Sequence, residues 1–179
     1  MIKLIHISIF SLLSINCLLF GQLRGGFDVG GEFKVAYEGE SETFDSESGI
    51  VIGYDHIIQD QGELKFGVGG EFMLARGIEE YAEGKGSFHS VYGFGKYSLN
   101  EKAYGLGRVG YNFHTGDDDY KGDATLEGGM MYAFGGGFSL TPTVSFEGLF
   151  ASHSGKAVLD DATIKMTYTR TSLGLVFIF

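Results

Sequence analysis

Hydrophobic and polar residues alternate with a period of two along most of the chain. From Gly25 to Tyr37, one parity reads Phe27, Val29, Gly31, Phe33, Val35 and Tyr37, and the other reads Asp28, Gly30, Glu32, Lys34 and Ala36. The same alternation returns from Glu63 to Ala75. Because successive side chains of a β-strand point to opposite faces, this pattern predicts strands with one apolar face.

Continued along the chain, the alternation predicts eight strands, at residues 25–37, 48–58, 63–75, 87–99, 102–114, 124–139, 143–153 and 163–179. Tight turns are predicted at residues 59–62, 100–101 and 141–142, and longer polar loops at 39–47, 76–86, 115–123 and 154–162. Short turns at one end and long loops at the other are typical of outer-membrane barrels. The predicted fold is therefore all-β, an eight-stranded antiparallel up-and-down transmembrane β-barrel.

The N-terminus has the pattern of a secretory signal peptide. Lys3 precedes a largely apolar run from Leu4 to Phe20, after which the chain turns abruptly to glycine, glutamine and charge. We predict a signal peptide at residues 1–21 and a mature barrel domain at residues 22–179. The only cysteine, Cys17, would leave with the signal peptide, because the residues before it match a lipidation site poorly.

Composition narrows the classes of function. The formal net charge is −10, and loss of the signal peptide removes Lys3 and no acid, so the mature chain is more acidic still. Such a chain repels nucleic acid. Without Cys17 it has no thiol for disulfides, thiolate metal sites or a cysteine nucleophile. Thirty glycines, one proline and abundant Tyr and Phe favour strands over helices or disorder.

Charged residues recur on the less apolar parity of the predicted strands. A Lys or Arg facing lipid near the bilayer midplane would cost about 2–4 kcal/mol, so these residues are expected to point into the lumen and pair there. The predicted lumen charge network consists of Glu32, Lys34, Lys65, Glu71, Lys96, Arg108, Glu127, Glu147 and Arg170.

Three segments resemble a known family of membrane proteins. In the final segment, Thr171–Phe179, the residues Leu173, Leu175, Phe177 and Phe179 alternate up to a terminal aromatic residue. Together with the segments Tyr92–Lys102 and Gly107–Tyr111, it is similar to the OmpA/OmpX-like family of small outer-membrane barrels. The resemblance implies location in the bacterial outer membrane, with membrane lipid and lipopolysaccharide as partners. It also implies that the alternating terminal residues are the signal read by the barrel assembly machinery.

Other motifs support enzymatic or metal chemistry only weakly. The glycine pattern of Gly105–Gly110 lies inside an alternating strand with no helix after it, which opposes dinucleotide binding. Acidic residues at 38–47 and 117–123 do not have EF-hand spacing, so we expect solvated loops with at most diffuse calcium or magnesium bridging to lipopolysaccharide. In the pairs His89-Ser90 and His153-Ser154, adjacent side chains point to opposite faces, which is wrong for a catalytic dyad. We predict no cofactor and no dedicated metal site.

The predicted function is a non-enzymatic structural or surface-interaction role. Side chains fill a barrel of eight strands, whereas general porins use about 16–18 strands. The acidic external loops are the surface available to an unidentified ligand. The alternatives are a narrow channel and a lipid A modifying enzyme. A ligand carrier of the lipocalin type would need the reverse pattern, with an apolar interior. Exposed aromatics such as Tyr37, Tyr97, Tyr111, Tyr132 and Phe134 are expected to form an interfacial girdle.

Overall fold

The computed structural model describes residues 21–78, 81–159 and 162–179, without the side chains of residues 78 and 81–83. Residues 1–20 of the predicted signal peptide lie outside the described residues. Within the described part of the chain, no helix is long and apolar enough to cross a membrane.

The described chain forms strands and one short helix. The strands are β1 (Gly21–Tyr37), β2 (Glu40–Asp45), β3 (Ile50–Gln61), β4 (Leu64–Met73), β5 (Arg76–Ile78), β6 (Tyr81–Ser98), β7 (Ala103–Gly116), β8 (Thr125–Glu127), β9 (Gly129–Thr141), β10 (Val144–Leu159) and β11 (Ala162–Ile178). The helix, α1, spans Asp118–Lys121 between β7 and β8. Each predicted strand overlaps one of the long strands.

Eight of these strands close into a barrel. The order around the ring is β1, β3, β4, β6, β7, β9, β10 and β11, and every neighbouring pair is antiparallel. Pairing of β1 with β11, from Gln22↔Ile178 to Ala36↔Lys165, closes the ring. The short strands β2, β5 and β8 pair with β1, β6 and β10 and extend the wall at one end. The prediction of an eight-stranded antiparallel up-and-down barrel is confirmed.

The two ends of the barrel are built differently. One end carries tight turns at residues 62–63, 99–102 and 142–143, and the first of them uses Gly62 at φ 76°. The start of β1 and the C-terminal residue meet there, where the Phe179 amide donates to the Gly21 carbonyl at 3.2 Å. At the other end, segments expected to be loops contain β2, β5 and α1, and β8 lies at the start of the strand predicted for residues 124–139. The predicted loop at 154–162 is mostly strand, because the β10–β11 ladder continues to Leu159↔Ala162.

Apolar side chains cover the outside of the barrel. Exposed large hydrophobic residues occur on all eight ring strands, and they include Phe27, Ile52, Phe72, Val91, Val109, Tyr132, Phe150, Leu173, Leu175, Phe177 and Phe179. The expected girdle residues Tyr37, Tyr97, Tyr111, Tyr132 and Phe134 are among the outward, exposed side chains. An apolar outer surface on a closed sheet with no free edge is the arrangement that a lipid environment requires.

A β-bulge changes the parity of β1 at Val29. The β1–β11 register shifts between Asp28 and Gly30, so Val29 and Gly30 both point outward. Beyond the bulge the inward parity is that of Phe33, which is 1 % exposed, while Glu32 and Lys34 are exposed on the outside. The prediction that Glu32 and Lys34 face the lumen is therefore wrong. A prediction based on regular alternation does not detect one extra residue in a strand. The pair Gly30-Gly31 has no side chains that would reveal the change of parity.

Deleting Val29 is expected to leave the barrel intact, because removal of one of two consecutive outward residues preserves the inward parity on both sides. Deleting Gly25, which is also outward and has open space beside its Cα, is expected to abolish folding, because Arg24 or Asp28 would then turn to lipid. Gel mobility of boiled and unboiled protein measures the closed barrel. Equal loss of the heat-dependent shift in both variants would contradict the bulge assignment.

Candidate functional site

The lumen contains nine buried charged side chains, counted over the described residues. The cations are Arg24, Arg76, Arg108, Arg170 and Lys96, and the acids are Asp28, Asp55, Glu71 and Glu147. They come from β1, β3, β4, β5, β6, β7, β10 and β11, so nearly the whole wall contributes. Burial of a charge is costly unless it is paired and hydrogen-bonded. The four arginines and the four acids are paired with one another, whereas Lys96 contacts an aromatic ring.

Arg170 is the centre of the external half of the network. Its Nη1 lies 2.7 Å from Asp28 Oδ1, and its Nη2 contacts Glu71. Arg24 Nη2 approaches the other oxygen of Glu71 at 2.6 Å, and Arg76 Nη1 contacts the other oxygen of Asp28. Each carboxylate therefore accepts from two guanidinium groups. Such charge-assisted, planar pairing suits arginine rather than lysine.

Tyr92 joins this half to the half nearer the tight turns. The hydroxyl of Tyr92 accepts from Arg24 Nη2 at 3.2 Å and donates to Asp55 Oδ1 at 2.7 Å. Arg108 Nη2 then bridges Asp55 at 2.9 Å and Glu147 at 3.4 Å. The contacts form one continuous chain of polar groups along the lumen.

Tyr104 and Lys96 end the chain near the tight turns. The Tyr104 hydroxyl donates to Glu147 Oε1 at 2.9 Å. Lys96 Nζ lies 3.5 Å from the centroid of the Tyr104 ring, a cation–π contact. Lys96 is thus held against an aromatic face at the edge of the network.

Inward glycines make room for these long side chains. A Cβ at Gly53 would lie 2.6 Å from Arg24 Nη2, and one at Gly137 would lie 2.2 Å from Tyr104 Cζ. Both distances are shorter than real side-chain contacts. The glycines opposite the arginine and tyrosine side chains therefore let a narrow barrel hold a polar network in its interior.

Apolar side chains fill the lumen on the external side of the network. The aromatic plug consists of Phe33, Val51, Met73, Phe88 and Tyr168. The Phe33 and Tyr168 rings stack with centroids 4.5 Å apart. Arg76 Nη1 donates to the Tyr168 hydroxyl at 3.0 Å, which connects the plug to the charges below it.

Five of the nine residues predicted for the lumen network belong to it: Glu71, Lys96, Arg108, Glu147 and Arg170. Lys65 lies at the turn end, where it pairs with Asp60 at 2.6 Å and is partly exposed. The placement of Glu127 in the lumen is wrong, since it is exposed and lies 3.5 Å from Lys156. The physical reason is that β8 extends the wall at the external end, beyond the apolar girdle, where an outward charge meets water.

Sequence reasoning missed Arg24, Asp28, Asp55 and Arg76. Arg24 precedes the predicted start of the first strand, and extending that strand to Gln22 would have placed Arg24 and Asp28 on one face. Asp55 lies in a strand whose parity was not assigned. Arg76 falls in a predicted loop, and no periodic signal in the sequence marks it as inward.

A serine and a histidine from different strands meet inside the lumen, although neither adjacent pair does. Ser90 Oγ lies 3.4 Å from His153 Nδ1, and Arg170 Nε donates to His153 Nε2 at 3.4 Å. Because Nε2 accepts from an arginine, the neutral ring carries its proton on Nδ1 and donates it to Ser90. A general base needs the opposite polarity, with an acid behind the imidazole. This arrangement does not activate the serine.

Many acidic residues at the external end lie on the surface. Asp117, Asp118, Asp119, Glu40 and Glu42 are exposed. Over the described residues, no group of three or more His, Cys, Asp or Glu side chains is placed to hold a metal ion. Asp117 instead caps α1, where its Oδ1 accepts from the Tyr120 amide at 2.8 Å.

Comparison with solved structures shows the same fold. OprG, an outer-membrane protein of Pseudomonas aeruginosa, is 16% identical with a TM-score of 0.60, over 89% of this chain and 95% of that chain. Neisserial surface protein A is 14% identical with a TM-score of 0.52, over 89% and 97%. The attachment invasion locus protein Ail of Yersinia pestis is 17% identical with a TM-score of 0.49, over 88% and 97%. At this identity, the first two show that the fold is that of small outer-membrane β-barrels.

No known protein-family model matches the chain, and no curated protein sequence matches it significantly.

Replacing Arg170 with alanine is expected to destabilise the barrel by about 3–5 kcal/mol, because it leaves Asp28 and Glu71 buried with one partner fewer each. Arg170→Lys should recover only part of this loss, since one ammonium group cannot replace the two-sided guanidinium contact. Urea unfolding in lipid vesicles, followed by circular dichroism, measures the effect. The matched control is Lys34→Ala on the exposed face of β1, with an expected change of about 0–1 kcal/mol. Equal stability of the Arg170→Ala and Lys34→Ala variants would refute the conclusion that the ion-pair network stabilises the barrel.

Proposed function

We propose that this protein is an integral protein of the bacterial outer membrane with a non-enzymatic structural or surface-interaction role. Three features support the proposal: the barrel is closed, its outer wall is apolar, and its charges are buried in the lumen. A secretory signal peptide at residues 1–21 would deliver the chain to the envelope. Leu173, Leu175 and Phe177 of the closing strand β11 and Phe179 directly after it are all exposed, where the assembly machinery could read them.

The filled lumen is the observation that carries this proposal. The ion-pair network occupies the lumen from Lys96 to Arg76, and the aromatic plug adjoins it on the external side. A solute would have to displace paired charges and then a packed aromatic cluster. Both barriers act in series, so the barrel is better suited to anchoring than to transport.

The outer surfaces indicate the partners of such an anchor. Lipid and the acyl chains of lipopolysaccharide would contact the exposed Phe, Leu, Val and Tyr side chains of the wall. The extended hairpins β1–β2 and β10–β11 and the helix α1 would stand outside the bilayer. Their exposed acids, including Glu40, Glu42 and Asp119, give this end a negative surface, which favours cations or basic partners.

A channel function is testable in planar bilayers. We expect no discrete conductance steps from the wild-type protein. The double variant Arg108→Ala, Glu147→Ala should also stay silent, because the aromatic plug remains closed above the altered half. The heat-dependent gel shift of each sample establishes that the inserted protein is folded. Reproducible single-channel steps from folded wild-type protein would overturn the sealed-lumen proposal.

Lipid A chemistry is testable in the source bacterium. We expect mass spectra of lipid A from a deletion strain to match the parent strain, because His153 faces Arg170 rather than an acid and both Ser90 and His153 are buried. Complementation with Ser90→Ala provides the matched control. A lost acylation species that wild-type protein restores and Ser90→Ala does not would establish an enzyme instead.

A further inference from the structure

A cavity of about 380 Å³ opens at the external end of the barrel, outside the lumen network. Its volume lies within the range of roughly 300–1,000 Å³ that is usual for small-molecule sites. Most of the lining is apolar and comes from β1, β2, α1, β8, β10 and β11; its principal residues are Val35, Phe44, Leu126, Ala157, Ile164 and Met166.

Two aromatic side chains lie between this cavity and the aromatic plug. Phe44 of β2 and Tyr120 of α1 line the cavity and also pack against the plug. The cavity is therefore a pocket closed on the lumen side rather than the entrance of a pore. A ligand that enters it from outside stays at the external end.

Tyr120 is a fixed part of the wall. The Asp117 cap holds α1, and the Tyr120 hydroxyl lies 3.1 Å from His114 Nε2, a ring nitrogen inside the barrel. A Cβ at Gly116 would lie 2.3 Å from the Tyr120 ring, so this glycine lets the ring lie close to the wall. Burial raises the pKa of Tyr120, which keeps the phenol uncharged. The wall at this point is consequently a neutral aromatic face.

The charges at the cavity rim are unbalanced. Glu42, Asp119 and Lys121 line it, and all three are exposed. Lys121 Nζ already pairs with Asp118 at 3.0 Å. Two carboxylates are left without a matching cation among these rim residues. The rim therefore disfavours an anionic head group and favours a cationic one.

The geometry points to a binding site for a small cationic amphiphile in this cavity. The apolar tail lies against Leu126, Ala157 and Met166, and the cationic head stays at the rim beside Glu42 and Asp119. This activity goes beyond the anchoring role, because that role needs only the wall and the sealed lumen.

Calorimetric titration of the protein in lipid nanodiscs tests the site, with empty nanodiscs as the blank for membrane partitioning. The probes are decyltrimethylammonium and decanoate, which share a tail length and differ in the sign of the head group. We expect saturable 1:1 binding of the cation and much weaker binding of the anion. Each methylene added while the cavity still has room should tighten binding by about fourfold.

Ala157→Phe fills the cavity and is expected to abolish cation binding. Its control is Thr163→Phe, which adds the same ring at an exposed position of β11 and should leave binding unchanged. If the first variant fails to fold, the pair Glu42→Lys, Asp119→Lys remains informative, because both side chains are exposed. This double variant should bind decanoate more tightly than decyltrimethylammonium, the reverse of the wild-type preference.

Three results would overturn the inference. They are heat no larger than that of empty nanodiscs, cation binding that folded Ala157→Phe retains, and equal affinity for the two probes. Because none of these measurements depends on conductance or on lipid A composition, failure of the site would leave the anchoring proposal intact.

Discussion

The pairing of Arg170 with Asp28 and Glu71 is the interaction on which the rest of the structure depends. The partners are 142 and 99 residues from Arg170 in the sequence, and they lie on β1 and β4. They meet only when β11 pairs with β1 and closes the ring. Before closure water solvates these charges, and after closure they are stabilised by pairing with one another. Burial of the charges and closure of the barrel are therefore one cooperative event.

This constraint also explains the distribution of small and large residues. A network of arginine and tyrosine side chains fits inside eight strands only where the opposite positions are empty, as at Gly53 beside Arg24 and Gly137 beside Tyr104. Where the charges end, apolar rings take over, and Arg76 links the two regions through Tyr168. Charged side chains therefore fill one part of the lumen and apolar side chains the part next to it. The buried charges are stable because each acid has at least one cationic partner.

The wall of the barrel could be predicted from the sequence, and part of its interior could not. Period-two alternation is a local property, so it located the eight ring strands and the outward Leu173, Leu175, Phe177 and Phe179. It failed at Glu32 and Lys34, because the bulge at Val29 adds one residue to the strand and reverses the inward parity after it. The residue types in this segment give no sign of that change. It also failed at Glu127 and Arg76, which lie where the sheet continues beyond the girdle. There a charged side chain can either face water on the outside or pair with another residue on the inside, and the local alternation does not distinguish the two.

The external end of the barrel contains an apolar cavity whose role differs from that of the membrane-facing wall. Since β2, β8 and the continuations of β10 and β11 extend the sheet, the residues above the membrane form an ordered, walled structure. Inside that wall the inward parity remains apolar at Ala157 and Met166, while the rim carries Glu42 and Asp119. Lipid cannot account for an apolar inner surface that lies beyond the girdle. The lumen below is already filled, so a molecule from outside is the occupant that this surface fits.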